Sequence, residues 1–171
     1  MKKLLLVACL HFFACTLLLA QTTAWHIAGD KITSPWADSV NPSNVLPEYP
    51  RPQLVRGNWT NLNGLWQYAI LPKDQQTIMP ATTQGNILVP FAVESALSGV
   101  GKTVGKDSVL WYKRTVTIPA KGGSKTLLHF GAVDWHCDVY VNGTKVGRLA
   151  VFARVRKQAF GRFTAGRRCV T

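Results

Sequence analysis

Acidic residues are scarce in this chain, and none occurs after Asp138. The 171 residues include eight Asp or Glu against twenty Lys or Arg, which gives a formal net charge of +12. Two basic residues lie at positions 2 and 3 and seven lie after position 147, so the part between carries eleven basic and eight acidic residues. The excess positive charge therefore belongs to the two ends, and we predict no nucleic-acid surface on the part between them.

Cysteine is also rare, and no group of side chains has the spacing of a metal site. Only Cys137 and Cys169 lie outside the apolar N-terminal run, and the sequence leaves open whether they pair. Asp134, His136 and Asp138 stand near Cys137, but on a strand Cys137 would lie on the face opposite His136 and Asp138. No second Cys or His pair follows at ligand spacing, so we predict neither a metal nor another cofactor.

The first twenty residues have the pattern of a signal peptide. Two lysines precede an apolar run over residues 4–20, and cleavage can follow Ala20 or, as a second choice, Ala24. The run is short for a membrane-spanning helix. We therefore predict a secreted or periplasmic chain that has no membrane contact after cleavage and loses Cys9 and Cys15 with the leader.

Amphipathic helical patterns of useful length are missing in the rest of the chain, whereas short alternating and β-branched runs recur between Gly, Pro and Asn residues. Asn142-Gly143 favours a tight hairpin, because both positions of such a turn need positive φ. We predict an all-β sandwich, with strands over 65–71, 86–90, 109–118, 126–130 and 135–141 and a hairpin at Asn142-Gly143.

The last of these strands alternates between two faces. We predict that one face lies in the core and that the other is half exposed; the first carries Trp135, Cys137, Val139 and Val141, and the second carries His136, Asp138 and Tyr140. Trp66 and Trp111 also lie within strand patterns, so we predict that they belong to the core.

Five segments follow one another in an order that carries a family resemblance. They are Pro-Arg-Pro-Gln at 50–53, Asn-Leu-Asn-Gly-Leu-Trp at 61–66, Ile-Leu-Val-Pro-Phe-Ala-Val-Glu-Ser at 87–95, Leu-Trp-Tyr-Lys-Arg at 110–114, and Leu-Leu-His-Phe-Gly-Ala-Val-Asp with Val-Tyr-Val-Asn-Gly between 127 and 143. Together they resemble the N-terminal sugar-binding domain of glycoside hydrolase family two, which includes β-galactosidases, β-glucuronidases and β-mannosidases. The resemblance implies a jelly-roll β-sandwich of the galactose-binding type, here incomplete at its C-terminal end.

In that family the catalytic residues are two glutamates of a TIM barrel far downstream, and no position here can inherit them. Glu48 and Glu94 are the only glutamates of the chain. Glycoside hydrolysis needs two carboxyl groups about 5 Å apart, or somewhat wider, across the sugar, and nothing in the sequence places a cleft between these two. We therefore predict the accessory sandwich of a secreted glycoside hydrolase, an O-glycosyl hydrolase of carbohydrate metabolism, without catalytic residues and inactive by itself.

Two alternatives stay open. The chain is a free-standing carbohydrate-binding module, or it is an unstable and non-functional truncation product with open sheet edges. Trp59, Trp135 and Tyr140 raise the question of sugar stacking. No exposed aromatic can be named from the sequence as a binding platform.

The predicted order of domains is a signal peptide over 1–20, a linker or extended strap over 21–46, the sandwich over 47–147 and a basic tail over 148–171. Near Gly147 the family-like pattern stops and the charge rises. We interpret the tail as a frameshift product, and reading the coding DNA in the other frames beyond codon 147 tests this hypothesis. The other interpretation is an amphipathic helix on a membrane or nucleic acid, with its apolar side at Leu149, Val151, Phe152, Val155 and Phe160.

Residues 96–103 match a relaxed phosphate-binding loop, but the sequence continues into a strand instead of the helix that such a site requires. We predict a Gly-rich surface loop. Ser95, His129 and Asp134 make no nucleophilic triad, because no turn motif of the required kind surrounds a serine.

Overall fold

The computed structural model describes residues 24–49, 52–74, 80–118, 126–131, 133, 136–150, 155–156 and 161–170. Within these ranges the chain forms β-strands and short 3-10 helices, and no α-helix. None of the helices in these ranges has the length and apolar character needed to cross a membrane. The predicted signal peptide lies outside the described residues, as do Asp134 and Trp135.

The alternating and β-branched runs form strands, as predicted. These strands are β1 (Gly64–Pro72), β2 (Gly85–Val89), β3 (Ser108–Ile118), β4 (Leu127–Leu128) and β5 (His136–Val141). Three more strands follow them, β6 (Thr144–Ala150), β7 (Val155–Arg156) and β8 (Gly161–Val170). The 3-10 helices span Ala37–Ser39, Pro52–Leu54 and Ala96–Ser98.

Six of the strands form one antiparallel sheet in the order β2-β1-β3-β8-β5-β6, and β4 pairs with β7 in a second, two-stranded sheet. The all-β prediction is therefore confirmed for the described ranges. The hairpin prediction is confirmed too: Val141 pairs with Thr144, and Asn142 and Gly143 have φ values of 50° and 78°. Both values lie in the left-handed region that this turn requires.

The sequence predicts a basic tail after Gly147 and a sheet without its last strands. In the structure this tail includes β8, which lies in the middle of the six-stranded sheet. β6 continues past Gly147 to Ala150, and β8 pairs with β3 on one side and with β5 on the other. Strand pairing uses backbone N–H and C=O groups, so a run rich in Arg and Gly can form a strand that its side-chain pattern does not announce. The frameshift origin of this segment stays a prediction.

The interpretation of the tail as an amphipathic helix is wrong where the structure describes it. Leu149 lies in β6 and Val155 lies in β7. The other residues of the proposed apolar side lie outside the described residues, namely Val151, Phe152 and Phe160.

The six-stranded sheet buries side chains on both of its faces. One face carries the larger cluster, with Trp66, Tyr68, Ile87, Leu110, Tyr112, Cys137 and Val139 among its members. The opposite face carries Ala69, Val109, Trp111 and Tyr140. The core positions predicted for Trp66 and Trp111 are therefore confirmed.

The predicted half-exposed face of β5 is wrong at two of its three positions. Asp138 is 6 % exposed and Tyr140 is 8 % exposed, whereas His136 is half-buried. The physical reason is that neighbouring side chains cover this face, with Lys145 and Arg148 of β6 in contact with the Asp138 carboxylate. In addition, Tyr140 packs on Trp111, with 5.5 Å between the ring centroids.

Candidate functional site

A buried carboxylate with two cationic partners lies in the β5–β6 hairpin. The Nε atom of Arg148 donates to Oδ1 of Asp138 at 2.9 Å, and Nζ of Lys145 lies 2.8 Å from Oδ2. His136 Nε2 lies 3.9 Å from the same Oδ1. Both cations come from β6, which the Asn142-Gly143 turn folds against β5, so that Arg148 stands opposite Asp138 in the register.

Burial and ion pairing act in opposite directions on the pKa of Asp138. Burial raises this pKa because it disfavours the charged form, but hydrogen bonds and charges from Arg148 and Lys145 outweigh it and hold the pKa below its usual value. The hydrogen bond with Asp138 in turn raises the pKa of Arg148. A carboxylate that is ionised and paired in this way is the opposite of a general acid, whose pKa has to be raised.

The same residues do not assemble a metal site. His136 and Asp138 share a face of β5, as predicted, and Cys137 lies in the core cluster on the other face. Within the described ranges, no three His, Cys, Asp or Glu side chains lie close enough together to hold a metal ion. A divalent ion at Asp138 would also have to displace Lys145 and Arg148 from the carboxylate oxygens.

Glu48 and Glu94 lie exposed on different segments of the chain. Glu48 belongs to the segment before β1, and Glu94 lies between β2 and the 3-10 helix Ala96–Ser98. No contact among the described residues links Glu48 to Glu94 as the carboxyl pair that glycoside hydrolysis needs.

The glycine-rich residues 96–103 pack against the N-terminal segment. The backbone N–H of Ala28 donates to the carbonyl oxygen of Ala96 at 3.0 Å. Gly99 has a φ of +76°, and a Cβ atom there would lie 2.6 Å from Cδ1 of Trp25. The chain then continues into β3, as predicted, so the strand-loop-helix unit of a phosphate site is missing from this described stretch.

The side chains of Ser95 and Ser98 form hydrogen bonds with nearby backbone groups. The Oγ atom of Ser95 donates to the carbonyl of Ala92 at 2.7 Å, and Ser98 is fully buried with its Oγ 3.0 Å from the carbonyl of Val93. His129 lies in an aromatic cluster described below, and Asp134 is outside the described residues. No hydrogen bond among the described residues joins Ser95 to His129.

Arg114 joins two of the five family-like segments. Its Nη1 donates to the carbonyl oxygens of Leu62 and Asn63 at 2.7 and 3.0 Å. The indole Nε1 of Trp66 donates to the same Leu62 carbonyl at 2.8 Å, and the guanidinium carbon lies 5.9 Å from the Trp66 ring centroid. Burial lowers the pKa of Arg114, while the two carbonyls and the ring face stabilise its charge.

Two asparagines of the same segment tie the N-terminal strap to the sheet. Asn61 Nδ2 donates to the carbonyl of Leu46 at 2.9 Å, and Asn63 Nδ2 donates to the carbonyl of Val45 at 3.3 Å. Asn61 Oδ1 also accepts from the backbone N–H of Asn63 at 2.8 Å. The polar residues of the 61–66 segment therefore hold backbone in place.

Three half-buried rings from separate segments form an aromatic cluster of Tyr49, Trp59 and His129. The Tyr49 and Trp59 centroids lie 4.8 Å apart in an edge-on arrangement, and Trp59 and His129 lie 5.6 Å apart. The sequence marks Trp59 as a candidate for sugar stacking and His129 only as a member of a rejected triad, and it gives no signal for Tyr49. No sequence spacing could have found this cluster, because Tyr49 precedes β1 and His129 follows β4.

Comparisons with known proteins give no family assignment. No family model matches the chain, and no curated protein matches its sequence. Among solved structures, Faecalibacterium prausnitzii β-glucuronidase is 23 % identical with a TM-score of 0.49, over 64 % of this chain and 20 % of that one. Rhamnosidase from Novosphingobium sp. PP1Y is 23 % identical with a TM-score of 0.48, over 72 % of this chain and 12 % of that one. The chain thus spans a fifth or less of either enzyme, and a likeness at this level carries no functional argument.

Proposed function

We propose that this chain is a non-catalytic accessory β-domain of the glycoside hydrolase family-two type. The support lies in the two segments 61–66 and 110–114, which carry part of the sequence resemblance. Arg114 and Trp66 both bind the Leu62 carbonyl. Side chains engaged in this way stabilise a scaffold, and this is the role that the resemblance implies for the N-terminal domain.

A jelly-roll sandwich is part of this proposal. Leu128 of β4 and Phe130 just beyond it pack against the larger core cluster of the six-stranded sheet. Because β4 belongs to the second sheet, the contact fits a two-layer arrangement in which one sheet covers the other.

In an enzyme of this type, a barrel supplies both carboxylates for the hydrolysis of O-glycosyl bonds, and the sandwich supports the barrel. The carboxylates described above do not replace that pair: Asp138 is neutralised by Arg148 and Lys145, and Glu48 and Glu94 lie on separate exposed segments. We therefore propose that the chain by itself has no glycosidase activity.

Aglycone release from chromogenic β-galactoside, β-glucuronide and β-mannoside substrates tests this proposal. We expect the purified chain to release no more aglycone than buffer does. Release that disappears in a Glu48→Gln or Glu94→Gln variant, with its folded structure retained, would overturn it.

The aromatic cluster supports a second candidate function, a free-standing carbohydrate-binding module. Half-buried rings offer apolar faces on which sugars stack, and Trp59 stands at the centre of the cluster. Calorimetric titration with a panel of oligosaccharides tests it. Binding that is lost in Trp59→Ala and kept in Trp36→Ala, which removes a 77 % exposed indole elsewhere, would support this candidate; flat titrations would exclude it.

We also propose that the chain is exported, with its leader cleaved after Ala20, and that its partner is carbohydrate and neither nucleic acid nor membrane. The intact mass of the chain recovered from the medium or periplasm tests the first part. A mature chain that still carries residues 1–20 would contradict it.

A further inference from the structure

Two cysteines from distant parts of the sequence stand opposite each other in the six-stranded sheet. Cys137 is the second residue of β5, and Cys169 is the ninth residue of β8. The antiparallel register pairs them directly, between the pairs His136–Val170 and Asp138–Arg168. It continues to Val141–Ala165 in single steps, without a bulge.

This placement meets the backbone requirement of a disulfide. Directly opposed residues of an antiparallel pair have Cα atoms about 4.5 to 5.5 Å apart and lie on the same face of the sheet. Disulfides span Cα separations of about 4.4 to 6.8 Å. The two strands can therefore be linked at this position without a large movement of the backbone.

We propose that Cys137 and Cys169 form an intramolecular cross-strand disulfide that fastens β8 into the sheet. β8 lies between β3 and β5 and is the strand that joins them. The bond would close a loop over residues 137–169 and hold the strand that the sequence pattern does not reveal. It is independent of the carbohydrate function proposed above.

The bond forms by thiol–disulfide exchange with a small disulfide such as oxidised glutathione. The thiolate of one cysteine attacks a glutathione sulfur, and one glutathione thiolate leaves as a mixed disulfide forms. The second protein thiolate then attacks the protein sulfur of that mixed disulfide and releases the second glutathione. Two protein thiols are oxidised, one glutathione disulfide is reduced, and the two thiol protons pass to the two released glutathione thiolates.

The burial of Cys137 determines when during folding the disulfide can form. Cys137 is 0 % exposed, so no soluble disulfide reaches its sulfur once the sheet is closed. The exchange therefore takes place while β8 docks. The oxidising compartment that the predicted leader implies would supply the disulfide reagent.

Peptide mapping of the refolded full chain tests the proposal. The chain is refolded from denaturant with oxidised and reduced glutathione, remaining thiols are blocked with N-ethylmaleimide, and trypsin is added without reduction. Cleavage after Lys125, Lys145 and Arg168 gives peptides 126–145 and 169–171. We expect these two to be recovered mainly as one cross-linked species that separates on reduction.

A shifted-thiol variant is the matched control. Cys169→Ser combined with Val170→Cys moves the second thiol opposite His136, which lies on the other face of β5 from Cys137. We expect the cross-link between peptides 126–145 and 169–171 to fall at least tenfold in this variant. An equal cross-link in the variant would overturn the proposal, because it would show that the register plays no part.

Three results with the unaltered chain would also overturn it. These are recovery of both cysteines as maleimide adducts, cross-links only between two copies of the chain, and cross-links from Cys137 to Cys9 or Cys15. The map of the unaltered chain decides the question by itself if the shifted-thiol variant does not fold.

Discussion

Burying a carboxylate is costly unless its charge is paired, and Asp138 meets this condition with groups from one neighbouring strand. Arg148 and Lys145 reach it from β6 because the Asn142-Gly143 turn sets the register between the two strands. A single residue thus depends on the geometry of a turn four positions away. Its energetic role should be visible both in a substitution and in a pH titration.

Asp138→Asn should lower the free energy of unfolding by about 1 to 2 kcal/mol, near the lower end for charged hydrogen bonds because both cations are exposed to solvent. Denaturant unfolding at neutral pH measures the change. Asp107→Asn, which removes an exposed carboxylate next to β3, is the control and should change stability little. Equal effects of the two substitutions would show that the ion pairs contribute nothing.

The pH dependence of stability follows from the direction in which folding shifts the pKa of Asp138. The pKa of Asp138 is depressed in the folded chain, whereas an aspartate in the unfolded chain has a pKa of about 3.9. Between the two values the unfolded chain binds more protons, so stability rises with pH. The stabilisation by Asp138 should be complete above about pH 4 and lost as the pH falls through the folded pKa. Asp138→Asn should make the unfolding midpoint less dependent on pH below that point; an unchanged acid limb would contradict this account.

At the scale of elements, the N-terminal strap is held by the loop after β2. Gly99 leaves room for Trp25 at a position where φ is positive, and Ala28 is hydrogen-bonded to Ala96. Asn61 and Asn63 hold the other end of the strap through Val45 and Leu46. The glycine loop therefore has a packing role, which replaces the phosphate-binding role that its sequence imitates.

Gly99→Ala should release the N-terminal part of the strap. The left-handed conformation costs a residue with a Cβ atom roughly 1 to 2 kcal/mol, and the new methyl would overlap the Trp25 ring and the His26 carbonyl. Limited proteolysis should cut the strap faster in this variant, with a lower unfolding midpoint. Gly105→Ala is the control, since no atom lies within 4 Å of the added Cβ. A strap equally protected from proteolysis in both variants would be evidence against this packing of Trp25 on Gly99.

The elements that could be predicted from sequence are those whose own residues have the pattern of a strand or a turn. β3 carries aromatic and β-branched residues on both faces, β1 carries Trp66, Tyr68 and Ile70 on one face, and Asn142-Gly143 has a conformational preference of its own. β8 could not be predicted, because its surroundings are supplied by β3 and β5 and its own residues include Gly and Arg.

The candidate site likewise has some features that the sequence predicts and others that it does not. The shared face of His136 and Asp138 follows from strand alternation. The burial of Asp138 does not, because it depends on the strands beside β5. The aromatic cluster joins Tyr49, Trp59 and His129 across long stretches of chain, and no local pattern encodes such a meeting.

At the scale of the whole molecule, the sheet consists of two groups of strands, β2-β1-β3 and β5-β6, with β8 between them. Among the described strands, only β8 pairs with members of both groups. The larger core cluster nevertheless contains residues of both, such as Trp66 and Val139. Removing β8 would therefore expose one edge of each group and open the core that they share.

Deletion of residues 161–170 should abolish cooperative unfolding. We expect a broad denaturant transition with a smaller slope, because less surface is buried in a single cooperative unit. Circular dichroism across a guanidinium titration measures it. Arg162→Gln, which keeps the backbone of β8 and removes one charge, should unfold as sharply as the unaltered chain. A sharp transition after the deletion would mean that β8 is dispensable for the cooperative fold.

The place of β8 has a consequence for the order of events during synthesis. β8 follows the seven other described strands in the sequence but occupies a middle position in the sheet, so β3 and β5 cannot both be paired on that side until β8 has been made. Non-local pairing of this kind is slow, because the intervening chain has to be ordered before the contacts form. Until β8 docks, β3 and β5 each keep an unpaired edge, so the partly folded chain stays open to edge-to-edge association with other chains for longer than a sheet built from local hairpins.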